Sequence, residues 1–391
     1  MKLSHVCMGL LTALAVSSLP LKVPSTAASN AFLPLPRTVF SIPATNFVYA
    51  GPLLDEQHIV YGISAPRIQP RTCVSCGDAP FSNFHMQIYV RTYHSGPDGI
   101  TVSPQRVLFT GPLGAQVGLQ AFHRGWLIYQ TYLPGDRWAL FARNVANGRQ
   151  IALDSPRREG TPSRSFGADT DGSTVVWASW TIVKGKQVSV IRSFSLLSGK
   201  RHLLIAGGSG GDFSYGFPAV SGNRVVFVRQ APDGTAQVFL DSVSTGQIRP
   251  LTPAHQSNSE PAISGVVVVW LHGRLTLGHT HGLVVANLAT GRRRAIPHSS
   301  AQLPRIAADR YVVFATDYGR TSVRVYDTRI HQSRTITGPT PPGQAYTGVE
   351  AGGRAILYFD SNPCDYLNVA CRARLALVAL SPAGFGGFLT S

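Results

Sequence analysis

The sequence predicts an all-β chain built by repetition, and three observations carry that expectation. Near-copies of one segment recur 43 residues apart, each unit holds four short β-type runs, and glycine and proline are abundant, at 39 and 27 of 391 residues. Such a glycine and proline content favours many turns over long helices. Hydrophobic residues make up 44% of the chain and charged residues 14%, with a mean hydropathy of +0.06. That composition can bury a core, which excludes a disordered chain. Beyond the N-terminus no long apolar run follows, which excludes a helical membrane bundle.

The first 31 residues read as an export signal. Lys2 supplies the positive start, residues 6–19 form a mostly apolar run, and Pro20 ends it. Small residues follow, and cleavage after Ala27 or Ala31 fits a small-x-small site. The run is shorter than the roughly 20 residues of a spanning helix. Cys7 lies too early, behind Ser4-His5-Val6, for a lipid-modified cysteine.

The repeat comes next. Pro218-Ala219-Val220-Ser221-Gly222 precedes Val225-Val226-Phe227-Val228; Pro261-Ala262-Ile263-Ser264-Gly265 precedes Val268-Val269-Trp270-Leu271; Pro304-Arg305-Ile306-Ala307-Ala308 precedes Val312-Val313-Phe314. Weaker copies are Ile59-Val60-Tyr61, Leu127-Ile128-Tyr129, Val175-Val176-Trp177 and Ile356-Leu357-Tyr358. Each unit continues through a second apolar run, a turn such as Thr245-Gly246 or Thr290-Gly291, and a last run. Four strands in about 45 residues is the spacing of a propeller blade, which buries its faces only by packing on neighbours. Seven copies predict one β-propeller over residues 32–391. Its seven four-stranded blades span approximately 48–117, 118–163, 164–214, 215–260, 261–303, 304–347 and 348–391. A ring must close, since an open edge templates aggregation. Residues 37–46, with Val39-Phe40-Ser41-Ile42, are expected to add an N-terminal strand to the last blade, whose own final run, 385–390, is short and glycine-rich.

The order of proline-led strand, small turn, β-branched strand and Thr-Gly turn resembles the TolB-like or WD40-like propeller repeats of exported bacterial proteins. Residues 218–228 and 261–271 carry the resemblance. Where that family has Ser-Pro-Asp-Gly, this chain has Ser221-Gly222-Asn223 and Ser264-Gly265; Asp171-Gly172 comes nearest. The resemblance implies a binding or scaffold ring.

Four cysteines remain after export: Cys73, Cys76, Cys364 and Cys371. An even number in an exported chain favours disulfides. Local pairs, Cys73–Cys76 and Cys364–Cys371, come first. Cross-blade pairs are the alternative, because both loops fall between the second and third strands of neighbouring blades. A four-thiolate zinc site has the wrong spacing, and the redox motif lacks its βαβ context.

Other motifs reduce to structure. Residues 207–211 spell a nucleophile-elbow pattern, but the strand-to-helix turn that would expose the serine is absent from the pattern. His279-Thr280-His281, with His272 nearby, lacks a carboxylate to complete a metal set. Asp169-Thr170-Asp171-Gly172 starts like a calcium loop without the later ligands and reads as a β-turn. No metal and no cofactor is expected.

The formal charge is +16, with 30 arginines and 5 lysines. Arg157-Arg158 and Arg292-Arg293-Arg294 are the densest spots. Basic charge on an exported surface favours anionic partners; the lack of aromatic-basic interleaving counts against nucleic acid. Loops between blades converge on the axis, and the expected ligand contacts there are Phe213, Tyr215, His255, Glu260, His298 and Tyr346. The sequence thus predicts a secreted or envelope-located, monomeric, non-catalytic propeller that binds a protein or an anionic envelope polymer, with peripheral contact to a membrane surface left open. The alternative is an exported polysaccharide lyase or glycosidase with its site at the axis.

Overall fold

The structure is a computed structural model that describes residues 37–41, 48–64, 85–96, 99–113, 115–133, 137–154, 165–183, 186–206, 214–273, 282–296, 301–316, 322–337, 345–353, 355–361 and 373–380. Every element among them is a strand. Blade 1 comprises β2 (Val48–Leu54), β3 (His58–Ser64), β4 (Met86–Gly96) and β6 (Arg106–Thr110), with β5 (Gly99–Val102) as a hairpin extension paired to β4. Blade 2 comprises β7 (Gln116–His123), β8 (Trp126–Leu133), β9 (Arg137–Asn144) and β10 (Gln150–Asp154). Blade 3 comprises β11 (Ser165–Thr170), β12 (Thr174–Val183), β13 (Lys186–Ser195) and β14 (Arg201–Ala206). Blade 4 comprises β15 (Ser214–Ser221), β16 (Arg224–Gln230), β17 (Ala236–Ser242) and β18 (Gln247–Pro250). Blade 5 comprises β19 (Asn258–Ser264), β20 (Val267–His272), β21 (Gly282–Asn287) and β22 (Arg293–Ile296). Blade 6 comprises β23 (Ala301–Ala307), β24 (Tyr311–Thr316), β25 (Ser322–Asp327) and β26 (Gln332–Thr335). Blade 7 comprises β27 (Ala345–Gly352), β28 (Ala355–Ser361), β29 (Ala373–Ala379) and, outermost, β1 (Arg37–Ser41).

Each blade is an antiparallel meander. The seven first strands meet in cyclic order, β2, β7, β11, β15, β19, β23, β27 and back to β2, so they line a central channel. The ring closes as the sequence predicts: β1 pairs with β29, Arg37 opposite Val378 and Ser41 opposite Arg374.

The β-branched runs explain why blades stack. Val225, Val226, Phe227 and Val228 of β16 are all buried. Alternation sends Val225 and Phe227 into the cluster shared with blade 3 and Val226 into the cluster shared with blade 5. A second strand packed on both faces therefore reads as an unbroken apolar run. Seven such clusters form among the described residues, one for each pair of neighbouring blades. Each large side chain buried there contributes roughly 1.5–3 kcal/mol, which a lone blade cannot gain.

Candidate functional site

The channel wall is shaped by a bulge in every first strand. Register against the second strand breaks between Ala50 and Leu53, Leu119 and Ala121, Phe166 and Ala168, Gly216 and Ala219, Ser259 and Ala262, Gln302 and Arg305, and Tyr346 and Gly348. The repeat prolines Pro218, Pro261 and Pro304 sit within these breaks, where a ladder N–H is not needed. Just before two of them, Phe217 and Glu260 take left-handed φ values of +49° and +48°. A bulge re-aims a side chain, and a left-handed non-glycine residue costs on the order of 1 kcal/mol or more. Both side chains line the channel, and Phe217 is 51% exposed.

The described cavity has a volume of about 640 Å³. It is lined by the later halves of the first strands and the turns that follow them, so it opens at the first-turn face of the ring. Six of the chain's 19 carboxylates line it: Glu56, Asp169, Asp171, Glu260, Asp309 and Glu350. Arg124, Arg305 and His123 are the basic groups on the same wall.

Arg305 and Glu350, one on β23 and one on β27, form a two-pronged ion pair, with Nη2 donating to Oε1 at 3.1 Å and Nε to Oε2 at 3.2 Å. The Glu350 charge, with Asp169 and Glu260 adding to it, holds the Arg305 guanidinium above its usual range. Burial pushes the Asp169 carboxyl up to about 6, against the opposing pull of the Val220 N–H, Arg305 and His123. Its Oδ2 accepts that N–H at 2.9 Å. His123 Nδ1 lies 3.3 Å from Glu56 Oε1.

The turns at the mouth clasp one another from blade to blade. Asp55 accepts the N–H groups of Gln57 and His58 at 2.8 and 2.6 Å within its own turn, and that of Gly125 in blade 2 at 2.8 Å. Asp171 likewise accepts from Ser173 and Thr174 at 2.8 Å each, and from Gly222 in blade 4 at 2.8 Å. This is the turn that the sequence reading assigns to residues 169–172. Ser221 Oγ accepts the Gly265 N–H at 2.9 Å, and Ser264 Oγ donates to Asp309. Short polar side chains thus satisfy the turn backbone and fix neighbouring blades at once.

The expected contacts are distributed unevenly. Glu260 stands on the channel wall. Tyr215 stands on β15, its ring edge-on to Phe227 at 5.8 Å, in the apolar layer between blades 3 and 4. His255 is exposed, with φ +64°, beside Asp233 and Thr235 in a separate shallow pocket. Tyr346 lies on β27, its backbone opposite Asp360. Phe213, His298, Cys73, Cys76, Cys364, Cys371, residues 1–31 and 207–211, His279 and His281 lie outside the described residues. His272 Nδ1 contacts Asn258 Oδ1 at 3.0 Å, a contact within its own blade. Phe217, Asp169, Arg305 and Glu350 were not among the expected contacts. Two signals point to three of them: position beside a repeat proline, for Phe217 and Arg305, and a separation of 45 residues between Arg305 and Glu350, close to one repeat.

A channel lined by the first strands of seven four-stranded blades defines the class: a seven-bladed β-propeller. No family model matches the chain, and no curated protein matches it in sequence. Solved structures match it in fold. A puromycin-hydrolysing peptidase of Mycobacterium tuberculosis is 14% identical with a TM-score of 0.54, covering 85% of this chain and 53% of that one. An oligogalacturonate lyase of Vibrio parahaemolyticus is 8% identical with a TM-score of 0.52, covering 90% and 98%. TolB of Acinetobacter baumannii is 16% identical with a TM-score of 0.43, covering 68% and 61%. The chain thus spans about half of that peptidase and 61% of that TolB. At these identities the likeness to the peptidase and the lyase shows the fold alone.

Proposed function

We propose that the chain is an exported, non-catalytic binding propeller whose channel mouth receives a cationic segment of a protein partner. One observation supports this reading above the others: a chain of formal charge +16 gathers six of its 19 carboxylates on the wall of one 640 Å³ cavity. A concave wall on which one sign predominates, here six carboxylates against Arg124, Arg305 and His123, focuses its field and raises the local concentration of a partner of the other sign. Phe217 adds an exposed aromatic face to that wall, and an aromatic face flanked by carboxylates suits lysine or arginine. Of the two partner classes expected, the protein fits this mouth; an anionic polymer would have to bind elsewhere on the ring. Export rests on the leader pattern of residues 1–31.

A second reading, a carbohydrate-active enzyme, is favoured by Asp169, whose carboxyl burial raises to about 6 on a wall that also carries Glu260 and Glu350, as a general acid requires. Basic and acidic fluorescent peptides, titrated at low and high salt beside a lyase and glycosidase screen, separate the readings. Basic peptides should bind in a salt-sensitive way, about tenfold more weakly to Glu260→Gln or Phe217→Ala. Preference for acidic peptides overturns the proposal. Polysaccharide turnover abolished by Asp169→Asn moves it to the enzyme.

A further inference from the structure

The rim of blades 3–6 carries a surface that the channel does not explain. In a four-stranded meander, the turn between third and fourth strands lies at the same end as the turn between first and second. These turns, and the starts of the fourth strands, therefore surround the face on which the cavity opens. On four consecutive blades they present Lys200 and Arg201, then Arg249, then Arg292, Arg293 and Arg294, then Arg329, all exposed. No carboxylate is exposed in those turns and strand starts; Asp327, beside Arg329, is buried and paired with Arg310.

Apolar side chains stand among these cations. Leu197, at a turn tip, is 88% exposed, and Leu203, Ile248 and Ile330 lie between 46% and 56%. Four of the seven large apolar side chains exposed among the described residues thus share one arc with seven cations. Cations alone suit any polyanion, but a hydrated polymer offers nothing to leucine and isoleucine tips. A lipid surface satisfies both, with headgroups for the cations and the acyl boundary for the apolar tips.

We propose that this arc docks the propeller on an anionic lipid surface. The channel-mouth carboxylates, at the centre of the same face, are repelled by such a leaflet. The ring therefore sits on its blade 3–6 edge, and the mouth stays open to the aqueous side. The inference is independent of what the channel binds.

The test is co-sedimentation of the full chain with phosphatidylglycerol–phosphatidylcholine vesicles. Each cation near an anionic leaflet is worth roughly a factor of five. The triple variant Arg292→Ser, Arg293→Ser, Arg294→Ser should therefore raise half-saturating lipid about 100-fold. Leu197→Ser with Ile248→Ser should raise it about tenfold, whereas Lys186→Ser, at the start of β13 and so at the opposite end of its blade, should change it less than twofold. High salt should release the wild-type chain. Every variant carries the same apolar N-terminus, so the ratios report the arc. Leu197→Trp gives a second readout, an emission blue shift on addition of anionic vesicles. Equal binding by all variants, no binding by the wild type, or equal retention on a soluble polyanion that ignores the Leu197 and Ile248 changes would each overturn the proposal.

Discussion

Replacing Asp169 with asparagine should stabilise the protein at neutral pH and leave it unchanged in acid. Burial raises this carboxyl from an ordinary 3.8 to about 6. One pKa unit is worth about 1.4 kcal/mol, so holding the charge costs about 3 kcal/mol, nearer 2 once partial solvent contact is allowed for. The sign follows from which state holds the proton better. The folded chain binds it more tightly than the unfolded chain, so the wild type loses stability as pH rises from about 4 to about 6, and the loss is constant above that. Asparagine keeps an oxygen for the Val220 N–H, at 2.9 Å in the wild type, and carries no charge to desolvate. Urea unfolding of both proteins from pH 4 to pH 8 measures the difference directly. Superposed curves near pH 4 that part by about 2–3 kcal/mol above pH 6 are expected. Parallel curves, or a variant weaker at every pH, would refute the burial argument.

Three further outcomes follow from the mouth. Asp55→Ala should lower the unfolding free energy by about 2–3 kcal/mol, because it orphans the N–H groups of Gln57, His58 and Gly125, and Asp55→Asn should recover part of that in the same urea titration. A Cβ on Gly352 would stand 2.7 Å from the carbonyl oxygens of Leu54 and Asp55, so Gly352→Ala should cost about 2 kcal/mol at the junction of blades 7 and 1, read as a lower urea midpoint. Phe217→Gly removes a side chain from a left-handed position at φ +49°; stability should hold or rise by about 1 kcal/mol while affinity for a basic peptide falls.

The fold was legible because the burial that makes a blade is local in sequence. A run such as Val225-Val226-Phe227-Val228 declares a strand covered on both faces, and the 43-residue return of Pro218 at Pro261 and Pro304 declares a ring of such strands. The site was less legible. Glu260 was expected to lie near the axis, but Phe217 holds the equivalent place one repeat earlier, and its outward aim comes from the bulge in β15, which no local pattern states. Asp169 looked like part of a turn. Its neighbour Asp171 makes the turn, and Asp169 is raised by burial, accepts the Val220 N–H and feels the Arg305 charge, an environment that exists only after blades 3, 4 and 6 surround the channel. The charge count states a sum and not a distribution: over the chain it is positive, while the concave wall collects six carboxylates and the rim of blades 3–6 collects cations.

The pairing of β1 with β29 also bears on how the molecule is made. Blades 1 to 6 use strands that follow one another, so each can zip up as it emerges. The seventh cannot, because its outer strand is the first of the described strands in chain order and its partner the last of them, with Arg37 opposite Val378. Joining ends some 340 residues apart costs about 2 kcal/mol more than closing a blade-sized loop, and the apolar layers between blades 6, 7 and 1 repay it only once the latch shuts. Until then an arc of blades waits with two bare strand edges, the state in which a foreign strand can add to it. That waiting time, rather than the stability of any blade, governs how long those edges stay open to such addition.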